Sequence, residues 1–338
     1  MELSTVWFIL IAVLWIGYFC LEGFDFGVGM LLPVLARDDR ERRTMINTIG
    51  PVWDGNEVWV LTAGGATFAA FPEWYATLFS GFYLPLLLIL LGLIVRGLAF
   101  EYRHQRPGAE WKAWWDRALL IGSLLPAILW GVAFANIVRG VPIDADKEFT
   151  GNLLTLLNPF ALLGGLVTLL LFLAHGAMFL GLKTDGDLRH RSRRLSVRLG
   201  LAAAVAAVVF LVWAQVIAGD LGSAVLFVLA ALALVGGVGM AVRGREGWAF
   251  AGTFATIALA VAGLFVALFP DVMPSTTSAA FSLTTTNASA TDYTLTLMTW
   301  VAVIFVPIVL AYQSWTYWVF RRRIAVHHIP EHAEQAAS

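Results

Sequence analysis

The chain has 338 residues, 59% of them hydrophobic and 13% charged, with a formal net charge of -1 and one cysteine. That composition belongs to an integral membrane protein and excludes a soluble enzyme of one or two domains. No basic patch interleaves with aromatics, which excludes a nucleic-acid partner, and Cys20 alone excludes an intrachain disulfide and any cysteine-cluster metal site.

A helix that crosses the hydrocarbon core needs about 20 largely apolar residues. Nine stretches meet that requirement, at 4–26, 51–72, 78–100, 118–138, 158–180, 199–218, 222–242, 248–269 and 296–320. They predict an all-α integral membrane protein with nine transmembrane helices, organised as one polytopic membrane domain (1–320) and a short tail (321–338). Glu2 is the only charge before Glu22, so the first stretch lacks the basic leader of a signal peptide and reads as a retained helix. Lysines and arginines alternate between the links. Arg37 to Arg43, Arg103 to Arg117, Lys183 to Arg198, Arg243 with Arg245, and Arg321 to Arg323 fall on one side, against only Arg139 and Lys147 on the other. Short cytoplasmic loops are enriched in positive charge, which puts the N-terminus outside and the C-terminus in the cytoplasm.

Pro85, Pro126 and Pro307 lie inside spans, where kinks are expected. Trp74, Tyr75, Trp111, Trp114, Trp115, Trp315, Tyr317 and Trp318 lie near span ends and read as interfacial anchors. Gly236, Gly237 and Gly239, like Gly23 and Gly27, read as small residues for close helix packing. The outer loop 270–296 is long enough to fold over a neighbour, and the tail with His327, His328 and His332 reads as solvated.

The second span opens with the run Gly-Pro-Val-Trp-Asp-Gly-Asn-Glu-Val-Trp-Val-Leu-Thr-Ala-Gly-Gly at 50–65. Its apolar part, 58–71, is too short to cross, so the span takes Asp54 and Glu57 into the bilayer or to its edge. Ionisable groups at such depth are costly and are candidates for function. In the nine-span topology Glu22 and Asp25 end span one, Asp54 and Glu57 begin span two, and Arg96 and Glu101 end span three, all in the cytoplasmic third. Residues three apart share a helix face. Glu22 with Asp25 and Asp54 with Glu57 thus make two vertical pairs, which form a continuous acidic track if both turn inward. Such a track suits proton transfer, with Arg96 and Asn56 as supporting polar partners. The competing reading needs no transport: acids in first turns and a base in a last turn complement the helix dipole, and Glu101 sits at the water surface.

His175 is the only one of six histidines within a span. A transmembrane haem needs axial ligands aimed into a pocket, and His175 has no evident counterpart. It reads instead as a residue hydrogen-bonded between helices, with no haem, metal or catalytic residue supplied by this chain. A proton-coupled secondary transporter is the alternative from another class, since it too needs intramembrane carboxylates near broken helices.

At these residues the sequence resembles subunit II of the cytochrome bd-type quinol oxidases. The resemblance runs along nearly the whole chain through Gly23-Phe24-Asp25-Phe26-Gly27-Val28-Gly29-Met30, Trp53-Asp54-Gly55-Asn56-Glu57-Val58-Trp59, Thr62-Ala63-Gly64-Gly65-Ala66, Phe79-Ser80-Gly81-Phe82-Tyr83, Leu157-Asn158-Pro159-Phe160, Val272-Met273-Pro274-Ser275 and Met298-Thr299-Trp300-Val301-Ala302. It implies two four-helix bundles plus one peripheral helix in the bacterial cytoplasmic (inner) membrane. It also implies a partner, subunit I, which ligates haem b and haem d and oxidises quinol while reducing oxygen to water. The subunit resembled here is haem-free, supports assembly, and is assigned a path for cytoplasmic protons, which carries over to Asp25, Asp54 and Glu101. A structural quinone, found in some members, and a small accessory subunit stay open. Glu22 and Glu57 stand where some members have Asp and Gln, and the link 218–222 is shorter than in members with a long insertion there.

Overall fold

The computed structural model describes residues 2–329; residues 330–338, with His332 of the polar tail, lie outside the described residues. The chain is organised around its first helix, α1 (Leu3–Leu35), which packs most extensively against α3 (Trp53–Ala70), α6 (Ala109–Arg139), α8 (Pro159–Lys183) and α11 (Glu246–Leu268). At 1.5 Å per residue its 33 residues reach roughly 50 Å, well beyond the predicted end at 26. Every residue from Gly23 to Leu32 is buried. Neighbours on all sides let α1 carry glycines, carboxylates and Pro33 in a helix that hydropathy alone cuts short.

Eight helices among the described residues are long and apolar enough to cross a membrane: α1, α5 (Tyr83–Tyr102), α6, α8, α9 (Gly186–Ala218), α10 (Leu221–Val242), α11 and α12 (Asp292–Val319). The second predicted span is α3, 18 residues diluted by Asp54, Asn56, Glu57 and four small or hydroxylated positions around Gly64. It ends at Phe71 because Pro72 follows, and the residue before a proline is pushed out of the helical region; Phe71 has φ -136 and ψ 69. A separate short helix, α4 (Pro72–Gly81), then intervenes before α5. The third span accordingly starts at 83 rather than 78. Pro85 falls in the first turn of α5, where a missing N–H costs nothing, and makes no mid-span kink. Pro126 and Pro307 do lie inside α6 and α12.

Two links predicted as basic loops are helical. α6 begins at Ala109 and α9 at Gly186, so Lys112, Arg117 and Arg189 to Arg198 extend spanning helices rather than connect them. These extensions, with α2 (Asp39–Ile49), meet at one end of the molecule through ion pairs. Arg37 bonds Asp187 at 2.7 Å, Arg191 bonds Glu41 at 2.5 Å, Arg103 bonds Asp116 at 2.6 Å and Asp39 at 2.7 Å, and Arg189 bonds Glu246 at 2.9 Å. Lys112 also reaches Asp39, at 3.0 Å. The start of the tail joins this layer instead of lying free in solvent: Arg323 approaches Glu246 at 3.9 Å and Ile324 N–H donates to the Lys183 carbonyl.

Burial pushes the Asp39 carboxyl up, but the hydrogen bonds from Arg103 and Lys112 outweigh it and hold the group below the usual carboxylate range. A carboxyl lowered in the folded state stabilises at neutral pH and loses that contribution as pH falls through the acid range. The melting temperature of Asp39→Asn is therefore expected to lie below that of the wild type at pH 7, with the gap closing below about pH 4.

At the opposite end, β1 (Asp271–Met273) pairs antiparallel with β2 (Leu283–Thr284). The predicted long loop folds over its own chain: Val141 N–H donates to the Pro274 carbonyl at 3.1 Å, Ser275 Oγ to the Ile143 carbonyl at 2.8 Å, and Ala290 N–H to the Ala70 carbonyl at 2.8 Å. A four-residue helix, α7 (Leu153–Leu156), completes this cover. Trp74 is buried there against Phe71, not anchored at an interface, because α4 turns it inward. Trp114, Trp315 and Trp318 are exposed, as anchors are.

Close helix crossings rest on glycine. An added Cβ at Gly27 would meet the Phe172 carbonyl oxygen at 2.1 Å, and one at Gly176 the Gly27 Cα at 2.6 Å. Of the three glycines at 236–239 only Gly237 packs this way, against Gly252; Gly236 and Gly239 have nothing within 4 Å. α12 stands apart, with Leu295 its sole buried residue.

Candidate functional site

Glu22 and Asp25 lie three residues apart on the all-round buried half of α1, and both are 0% exposed. Arg96, one turn and a half from the end of α5, is also 0% exposed and meets them from the side. Its Nη1 donates to Glu22 Oε1 and, at 3.2 Å, to Glu57 Oε2 on α3. The guanidinium also lies over the rings of Phe26 and Phe100, 4.8 and 5.5 Å from their centroids. Arginine suits this place because it stays charged, donates to two carboxylates through Nη1 and stacks on aromatic faces at once.

Asp25 is held from α3. Asn56 Nδ2 donates to Asp25 Oδ2 at 2.7 Å, and Asn56 Oδ1 accepts from the Tyr317 hydroxyl at 2.7 Å and Gln313 Nε2 at 3.3 Å, both on α12. Trp59, one turn further along α3, donates its indole N–H to Gln313 Oε1 at 2.9 Å. Four buried atoms of the cluster have no hydrogen-bond partner among the described residues: Glu22 Oε2, Asp25 Oδ1, Arg96 Nε and Arg96 Nη2. Three carboxyls from α1 and α3 thus face one guanidinium from α5, ringed by aromatics.

The structure brings together Glu22, Asp25, Asn56, Glu57 and Arg96, but not the other two candidates. Asp54 and Glu101 are exposed, and no hydrogen bond or ion pair joins either to the cluster. Helix geometry gives the reason. At 100° per residue, Asp54 points about 200° away from Asn56, so turning Asn56 inward turns Asp54 outward. Glu101, five residues beyond Arg96, is rotated about 140° from it. The expected four-acid track is therefore a three-acid cluster of Glu22, Asp25 and Glu57, with Asp54 turned to the outer face of α3.

His175 has the role between helices expected of it. Nε2 lies 3.1 Å from the Cys20 carbonyl and Nδ1 2.7 Å from Thr253 Oγ1, while Phe250 stacks on the ring at 4.5 Å. A carbonyl only accepts, so Nε2 carries the proton and Nδ1 takes one from threonine. Both nitrogens are used within the chain, and neither offers iron a ligand; the histidine geometry does not fit a haem held here.

Reasoning from sequence missed Gln313, Trp59 and the part played by Tyr317, read as an interfacial anchor. One signal was present: Gln313 is the lone amide side chain in the span 296–320.

Fold and site together define a polytopic helical membrane protein with a buried acid–guanidinium cluster near its ion-paired end. The family model described as cytochrome bd terminal oxidase subunit II matches residues 3–320. Among curated proteins, the chain is 43% identical over 329 residues to cytochrome bd ubiquinol oxidase subunit 2 of Bacillus subtilis (strain 168), covering 96% of this chain and 97% of that one. It is 38% identical over 360 residues to cytochrome bd-I ubiquinol oxidase subunit 2 of Escherichia coli (strain K12), covering 95% of each. It is also 39% identical over 352 residues to the probable cytochrome oxidase subunit 2 of Haemophilus influenzae, covering 93% of each. A chain of the bd oxidase structure from Geobacillus thermodenitrificans shares the fold with a TM-score of 0.78 at 17% identity, over 95% of this chain and 99% of that one. The chain belongs to the cytochrome bd terminal oxidase subunit II family. It is one subunit of an oxidoreductase complex, which replaces the secondary-transporter alternative.

Proposed function

We propose that this chain is the haem-free subunit of a quinol:oxygen oxidoreductase of the bacterial cytoplasmic membrane, in which subunit I holds haem b and haem d. Its tasks are to support assembly of that partner and to carry cytoplasmic protons towards the oxygen-reducing site. The curated relatives named as ubiquinol oxidase subunits support the reaction class. The engagement of both His175 nitrogens supports haem ligation by the partner. On this reading α3 is the ninth span: its 18 residues reach roughly 27 Å, close to the hydrocarbon thickness. The ion-paired end faces the cytoplasm, the N-terminus lies outside, α1, α3, α5 and α6 form one four-helix bundle, and α8 to α11 form the other with α12 peripheral.

The observation that carries the proton reading is the buried cluster itself. Three carboxyls against one guanidinium leave carboxyl charge unmatched in an apolar setting, where unpaired charge is costly. Such a cluster takes up and releases protons. Its four unpartnered polar atoms are of the kind that ordered water satisfies. Glu57, half-buried, links this interior to exposed Asp54, which suits Asp54 to the end of the route where protons leave the chain. Glu101, exposed near the cytoplasmic end, suits the entry.

The test is the purified complex carrying Asp25→Asn. Quinol-driven oxygen consumption is expected to fall by about tenfold or more, as when a proton-transfer group is lost, with haem absorbance and co-purification of the partner unchanged. Wild-type turnover would reduce the cluster to a structural role. A colourless chain that purifies without a haem-bearing partner would remove the oxidase reading altogether.

A further inference from the structure

Four side chains from three helices are hydrogen-bonded in one direction, and the direction is forced. An indole N–H can only donate, so Trp59 fixes which end of the Gln313 amide faces it: Oε1, at 2.9 Å. Gln313 is left with its NH2 towards Asn56, 3.3 Å from Oδ1. The Tyr317 hydroxyl, 2.7 Å from that same oxygen, adds a second donor. Asn56 thus keeps Oδ1 towards α12 and presents Nδ2 to α1, where Asp25 Oδ2 accepts at 2.7 Å. The reversed amide would set oxygen against carboxylate oxygen and NH2 against NH2. Bonds in such a series polarise and strengthen one another.

The other oxygen of the carboxyl, Asp25 Oδ1, is buried with no partner among the described residues. We propose that Trp59, Gln313 and Asn56 form a one-way donor relay that keeps Asp25 Oδ2 a permanent acceptor and makes Oδ1 the atom at which Asp25 gains and loses its proton. Trp59 and Gln313 are then positioning residues: neither touches Asp25, and each acts through Asn56. The relay also joins α12, with its single buried residue, to the orientation of an acid on α1. This inference rests on the proton-route reading and says which atom of Asp25 serves it.

The test uses the intact complex with Trp59→Phe, which keeps the ring and removes the N–H, and with Gln313→Leu and Gln313→Glu. Glutamate still accepts from Trp59 but has no N–H for Asn56, and leucine, of similar volume without polar atoms, would be tolerated if Gln313 only filled space. Each variant is expected to slow turnover roughly fivefold, the size of one ordinary hydrogen bond, with unchanged haem absorbance. Each should also shift the carboxyl C=O stretch that Asp25→Asn removes from the infrared difference spectrum. Gln313→Leu should slow the Asp25→Asn complex no further. Wild-type turnover with an unmoved band in Trp59→Phe and Gln313→Glu would overturn the relay, as would Gln313→Leu slowing Asp25→Asn by the same factor as wild type. If those variants match wild type while Asp25→Asn is slow, only the relay fails; wild-type turnover in Asp25→Asn ends the proton-route reading and the relay with it.

Discussion

Replacing Arg96 with leucine is expected to prevent accumulation of the intact complex. Among the described residues Arg96 is the only cation bonded to Glu22 and Glu57, and it is 0% exposed. Leucine fills part of the space and leaves the carboxyls without a counter-charge. Breaking a buried pair by removing one partner costs roughly 3–5 kcal/mol, against a total folding stability of about 5–15 kcal/mol. The cost comes from stranded charge, so it should be relieved by removing the acids as well. Arg96→Leu combined with Glu22→Gln and Glu57→Gln is expected to recover much of the yield, because replacing a whole ionic group together is often near neutral. Arg96→Lys should fall between: an ammonium can still donate to two carboxylates, but it is more strongly hydrated and has no plane to stack on Phe26 and Phe100. The measurement is the amount of tagged chain and of haem absorbance in membranes. Wild-type amounts of both in Arg96→Leu would show that the acids need no counter-ion, and the account of the cluster would fall.

The acids in this cluster show how far the sequence can be read. Hydropathy placed a span on each of the eight helices long and apolar enough to cross a membrane, since apolar runs of bilayer length have few other uses, and a ninth on α3. It cut α6 and α9 short because a helix that continues into an ion-paired layer loses its apolar signature while keeping its backbone, and α1 because glycines, carboxylates and Pro33 interrupt the run. The spacing of three told correctly that Asp54 and Glu57 share a face of α3. It could not tell which way the helix turned: Asn56, between them, faces Asp25, Glu57 reaches Arg96 from beside it, and Asp54 is left outside. Gln313 and Tyr317 join the site across more than 250 residues of chain, and nothing local in α12 marks them except an amide and a phenol among aliphatics. The motif Gly23 to Met30 was legible as a family resemblance before its reason was visible: that segment is buried on every side, where three glycines and Asp25 are dictated by neighbours.

Gly27→Leu is expected to be as damaging as Arg96→Leu, by a mechanism without charge. α1 and α8 touch backbone to backbone, and a Cβ on Gly27 would lie 2.1 Å from the Phe172 carbonyl oxygen and 2.8 Å from Gly176 Cα. Neither neighbour is a flexible side-chain tip that can swing aside. Overpacking a core against side chains costs roughly 1–3 kcal/mol; here a whole helix must move. Its displacement would stretch the bond between the Cys20 carbonyl and His175 Nε2, 3.1 Å across the same helix pair, and shift Asp25, two residues away. Gly27→Ala is therefore expected to lower the melting temperature and slow turnover, and Gly27→Leu to abolish assembly. Gly236→Ala is the control: nothing lies within 4 Å of its added Cβ, so alanine should be neutral or, by restraining the unfolded chain, more stable by about 0.5–1 kcal/mol. The comparison is made by thermal unfolding of the wild-type, Gly27→Ala and Gly236→Ala complexes followed by haem absorbance, and by the amount of complex recovered for Gly27→Leu. If Gly27→Ala and Gly236→Ala melt together, then α1 and α8 have room to part. The close crossing would not be what holds the acids of α1 in place.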